Sequence, residues 1–161
     1  MSTKPWQVLG LATLCFIQAA HLISVVAGKV AVKSDPAAVQ AQAELGLASE
    51  GGADVAAVYE LLATSQFVFS VIAVVAFMLG FLLYRGEHLP GVRLTGAIFF
   101  GLGVLGQIFG RIPRGPASET ILREDTAQLL SIGLSALLFV GFVSLFFGKA
   151  AIWVKEHPRS A

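Results

Sequence analysis

LLATSQFVFSVIAVVAFMLGFLLY, the run from Leu61 to Tyr84, holds no Asp, Glu, Lys or Arg in 24 residues. As a helix it would extend about 36 Å at 1.5 Å per residue, and roughly 17 to 25 apolar residues suffice to cross a hydrocarbon core of about 30 Å. Three more stretches share this character: Trp6 to Gly28, Leu94 to Gly110 and Thr126 to Gly148. Leu94 to Gly110 is near the lower length limit. A helix in water reserves a polar face for solvent, whereas these stretches, in a chain that is 56% hydrophobic, are apolar around nearly their whole circumference. The expected fold is all-α, an integral membrane four-helix (tetraspan) bundle forming one domain over residues 1–161.

Lys4 ahead of an apolar run invites comparison with a cleaved leader. The run from Trp6 exceeds the ~7 to 15 apolar residues of a leader core, and no clear Ala-x-Ala site closes it, so an uncleaved span is expected. Leu14 is too bulky to precede a lipidated cysteine, which leaves Cys15 as a buried thiol. One cysteine allows neither an internal disulfide nor a Cys-x-x-Cys redox or metal site. Asparagine is absent, which removes every N-glycosylation sequon and fits a GC-rich bacterial gene or a heat-adapted one.

Four spans place both termini on one side. Lys4, Arg85, Arg93, Lys149, Lys155 and Arg159 fall there, against Lys29, Lys33, Arg111, Arg114 and Arg123 opposite, and this small basic excess assigns the termini to the cytoplasm. Trp6, Tyr84 and Trp153 gather at the same boundary, as an interfacial aromatic belt does. The location that follows is the bacterial inner membrane.

Arg85 to Arg93 carries Gly86, Pro90 and Gly91 and predicts a tight hairpin between the second and third spans. In the outer loop 29–60, Asp35 as N-cap and Pro36 at the first helical position predict a short helix over about 36–48, lying near the membrane surface. Helical pattern resumes at Asp54 and again at Ser118, each running into the following span.

At 100° per residue, Gly96, Gly103, Gly106 and Gly110 occupy a stripe of about 80° on the third span. Gly133, Gly141, Ser144 and Gly148 make a second stripe on the fourth, opposite the face carrying Gln128, Ser131 and Ser135. Small residues let helix backbones approach closely within lipid, so Gly96, Gly103, Gly106, Gly110, Gly133 and Gly141 are candidate packing positions, within the bundle or against another chain.

The membrane segments also carry glutamines in what this topology makes their outer half: Gln18, with His21 a turn away, then Gln66, Gln107 and Gln128. An unpaired amide in hydrocarbon costs several kcal/mol, so these groups should turn inward. Gln18, His21, Gln66, Gln107, Gln128 and Ser131 would then form either an interhelical hydrogen-bond network or a pocket for a quinone, a lipid headgroup or a small polar solute. His21 is also the one intramembrane candidate for ligating haem iron, chlorophyll magnesium or copper. His88 and His157 lie on the opposite side and read as interfacial residues.

No Gly-x-x-x-x-Gly-Lys, His-Glu-x-x-His or nucleophile elbow is present, and a net charge of +1 offers no basic surface for nucleic acid. The spans lack the carboxylate or basic residue on which ion-coupled pumps depend. The sequence therefore points to a non-catalytic membrane subunit packing into a larger complex, respiratory, photosynthetic or transport-related, or into a homo-oligomer. The alternative is a binding or transport protein that uses the outer polar cluster.

Overall fold

The computed structural model describes residues 4–48, 54–110 and 126–156. Its regular elements are all α-helices: α1 (Trp6–Lys33), α2 (Pro36–Ala48), α3 (Val55–Arg85), α4 (Leu89–Gly110), α5 (Thr126–Ser144) and α6 (Gly148–Glu156). Three of them, α1, α3 and α4, are each long and apolar enough to cross a membrane, and α5 with α6 makes a fourth if that bent pair is counted as one crossing.

Local chemistry sets the helix ends. The Asp35 carboxylate accepts from the Ala37 amide at 3.0 Å ahead of Pro36, whose missing N–H costs nothing at a first helical position. Asp54 does the same for Ala56 at 3.3 Å, so α3 begins six residues before the apolar run at Leu61 and projects beyond it. At its other end Gly86 adopts φ 78°, which lets the amides of Gly86 and Glu87 both reach the Leu82 carbonyl, at 2.8 and 3.0 Å. A side chain is strained in that left-handed conformation and glycine is not.

Packing does not follow chain order. α3 and α4 succeed each other through the short turn Gly86 to His88, yet their mutual contact is slight. The tight hairpin expected there exists as a turn only. α1 packs most extensively against α3, and α4 against α5, while α5 also lies along α1, so the helices are arrayed as α3–α1–α5–α4. The reason is where backbones can approach: Gly80 of α3 sits on Cys15 and the Ala12 carbonyl of α1, whereas Gly96 and Gly101 of α4 receive Phe142 and Phe139 of α5. The core runs through this array from Val8, Leu11 and Cys15 to Phe100, Leu138 and Phe142. A satellite cluster of Val39 and Ala43 with Val58 and Leu62 seats α2 against α3 beyond the apolar zone.

The apolar run from Thr126 does not continue as one helix to Gly148. α5 ends at Ser144, three tight amide-to-carbonyl bonds spanning Leu145 to Phe147 close its last turn, and α6 departs at 68°. Gly148, at φ 62°, absorbs the change of direction. The expected helical lead-in from Ser118 and the Arg111–Arg123 loop lie outside the described residues.

Large apolar side chains cover the outside of the array, with Leu61 and Phe67 each 71% exposed and Leu102 64%. A surface of this kind is incompatible with water over such an area and matches a hydrocarbon surround.

Candidate functional site

Between α1 and α5 the structure buries three polar side chains in the apolar core: Gln18, Ser131 and Ser135. Gln18 is fully enclosed, and its amide Nε2 donates to the Ser135 hydroxyl at 3.5 Å, the long limit of a hydrogen bond. Its Oε1 has no partner among the described residues. Exchanging the two ends of the amide would move the deficit to the nitrogen without removing it, since Ser135 is its one hydrogen-bond partner among the described residues. A buried amide end left open costs about 1–3 kcal/mol, so this position is a local weakness in an otherwise dry interface.

Of the other expected members of the cluster, His21 and Gln66 have described side chains. His21 is half-buried one turn from Gln18 toward the α2 end, and its carbonyl accepts from the Ser24 hydroxyl at 2.9 Å. Gln66 is separated by depth: the Phe16 and Phe77 rings meet at 5.5 Å and set the α1–α3 register. Toward the α2 end, Gln66 stands eleven positions from Phe77 and Gln18 two positions from Phe16, a difference of nine residues or about 13 Å along the axes. Its Nε2 is buried and has no partner among the described residues. The side chains of Gln107 and Gln128 lie outside the described residues. Ser135, at i+4 from Ser131 on the same face of α5, was legible as part of a polar face but not as the partner of Gln18.

The glycines divide sharply. A Cβ on Gly96 would lie 2.3 Å from the Phe142 ring, and one on Gly141 2.6 Å from Leu11 Cδ1. Among the described residues Gly103, Gly106 and Gly133 would meet nothing within 4 Å, and Gly110 is outside the described side chains. Gly80 and Gly101, outside the stripes singled out in the sequence, take close contacts that composition alone does not reveal.

At the opposite end of the array from α2, two basic side chains serve the same purpose. Lys4, just before α1, donates its ammonium to the Tyr84 carbonyl in the last turn of α3 and lies 5.5 Å from the Tyr84 ring. Arg93, in the first turns of α4, donates to the Leu145 carbonyl just past α5 at 3.5 Å and stacks 4.5 Å from the Phe146 ring. Each helix pair is thus closed by a cation on the carbonyl end of the antiparallel partner, where the macrodipole favours positive charge. Burial at this junction holds the Lys4 ammonium below the ordinary lysine pKa.

Chemically, the α1–α5 site offers one amide and two hydroxyls, with an imidazole a turn away. It can exchange hydrogen bonds with a water or a small polar group. Among the described residues no three His, Cys, Asp or Glu side chains converge as a metal site would require. No family model, no curated protein and no solved structure matches this chain.

Proposed function

We propose that the chain is a non-catalytic subunit of the bacterial inner membrane, crossing it four times with both termini in the cytoplasm, and that it packs into a larger membrane complex through α4. α5, at 19 residues, extends about 28 Å, which supports a fourth crossing. The bend into α6 supports its lying along the surface after that crossing. Lys4, Arg85, Arg93, Lys149 and Lys155 at one end of the helices favour that end as the cytoplasmic one.

The observation that carries this reading is the unequal use of the α4 glycines. Gly96 and Gly101 are filled by α5, but Gly103 and Gly106 leave a backbone surface open beside exposed Leu102 and Leu105. Closely approachable surface of this kind is what a second membrane helix needs, because lipid gives no hydrophobic drive to helix association. The test is extraction of the tagged protein in native lipid particles, followed by mass determination of the particle. Intact wild-type protein should carry stoichiometric partner chains. Gly106→Leu, at a position where an added Cβ meets nothing within 4 Å among the described residues, should release them. A wild-type particle holding one copy and nothing else removes the proposal.

A second reading is supported by the open Oε1 of Gln18: a small polar ligand or water held between α1 and α5. Gln18→Leu and His21→Leu would then abolish ligand retention while leaving assembly intact.

A further inference from the structure

The bend at Gly148 sets α6 beside the start of α1 and leaves an open cleft of about 500 Å³ between them, lined chiefly by Trp6, Gln7, Lys149, Ile152, Trp153 and Glu156. Its volume is that of a small-molecule site, for which about 300–1,000 Å³ is usual. Its position is where α1 begins and the path of α5 ends, so in a membrane it lies at the level of lipid headgroups.

Lys149, Ile152, Trp153 and Glu156 stand at i, i+3, i+4 and i+7 and so share one face of α6. A cation and an anion therefore sit at the two ends of this face, about 10 Å apart along the axis, with apolar surface between them. Their order is the reverse of what the helix macrodipole rewards, which is an anion in the first turn and a cation in the last. Neither has an ion-pair or hydrogen-bond partner among the described residues. Among the described residues the pair thus closes no contact, and its order does not favour α6. The Trp6 side chain, 78% exposed, forms the facing wall.

We propose that this cleft binds the headgroup of phosphatidylethanolamine. Lys149 takes the phosphate. Glu156 accepts from the lipid's primary ammonium, which also lies against the Trp6 indole as a cation on an aromatic face. Ile152 carries the start of the acyl chains toward the bilayer. The two-charge lining discriminates among lipids: Glu156 repels a purely anionic headgroup, and a choline headgroup has no N–H to donate to it. The inference rests on the reading of the chain as membrane-spanning.

The experiment uses the full chain in lipid particles made from equal parts of phosphatidylethanolamine, phosphatidylcholine and phosphatidylglycerol with identical acyl chains. Lipids retained after partial delipidation are then counted by native mass spectrometry. The expected result is several-fold enrichment of phosphatidylethanolamine over both others. Glu156→Leu, which removes the acceptor, should bring the ethanolamine-to-choline ratio to about one, and Lys149→Gln should lower retention of all three; both positions are exposed, and matched helical circular dichroism checks the fold. Equal retention by the wild type, enrichment of phosphatidylglycerol, or a preference that survives both substitutions overturns the assignment. Failure of the wild type to insert, seen as extraction by alkaline carbonate, removes the membrane reading and the lipid site with it. Insertion without preference removes the lipid site alone.

Discussion

Gly96→Ala is the substitution whose consequence the structure defines most sharply. The added methyl would lie 2.3 Å from two carbons of the Phe142 ring and 2.5 Å from a third, where ordinary contact between carbons is about 3.5–4.0 Å. The ring must therefore move by more than 1 Å, and it has nowhere to go. Phe142 is fully buried and stacked on Phe100, with centroids 5.7 Å apart and planes 16° from parallel. Overpacking of this kind costs about 1–3 kcal/mol, and loss of the ring stack about 0.5–1.5 more. The alanine recovers up to about 1 kcal/mol of helix propensity. A net destabilisation of about 1–3 kcal/mol is expected, read as a lower midpoint when the protein in mild detergent is titrated with dodecyl sulfate and followed by circular dichroism. Phe142→Leu should relieve the clash, so the double variant should fall short of additivity by at least about 1 kcal/mol. A midpoint for Gly96→Ala at or above the wild type, or full additivity with Phe142→Leu, would refute the α4–α5 interface described here.

Gly103→Ala and Gly106→Ala, with nothing among the described residues within 4 Å of the new methyl, should leave the midpoint of the isolated chain unchanged or raise it by up to about 1 kcal/mol. Gln18→Leu should be neutral or stabilising in the same titration, because it removes a buried amide with one end open; Ser135→Ala should cost about 1–3 kcal/mol by leaving that amide wholly unpaired. Gly148→Ala forces a Cβ into φ 62° and should lower the midpoint by about 1–2 kcal/mol, the penalty of the left-handed conformation. Stability should also rise with pH toward the ordinary lysine value of 10.5, because burial lowers the Lys4 pKa in the folded state and the unfolded chain binds the extra proton in that window. Lys4→Met should abolish that rise, and a slope unchanged by the substitution would exclude Lys4 as its source.

The helices themselves were legible because hydrophobicity in a membrane segment is a one-dimensional property: a run such as Leu61 to Tyr84 declares its length and its surround without reference to any neighbour. The α2 start at Asp35–Pro36 was legible for the same reason, since capping chemistry acts within a few residues. The candidate site was legible only in part. Gln18 and Ser131 could be recognised as groups that must turn inward, but the depth separating Gln66 from Gln18 follows from the Phe16–Phe77 register, which no spacing within one helix encodes. The break after Ser144 was also hidden, because Phe146, Phe147 and Gly148 continue the apolar run that composition reads as one span.

The sequence by itself determined an all-helical chain with apolar segments of membrane-crossing length and almost no charge within them, because solvation of the backbone and side chains in lipid is decided residue by residue. The tertiary structure decided which helices touch. Of the glycines on α4 and α5, Gly96 is filled by an aromatic ring and Gly106 by nothing among the described residues, and that difference depends on which neighbour stands opposite. Close packing is a property of pairs of surfaces, and a single strand of sequence specifies only one of the two.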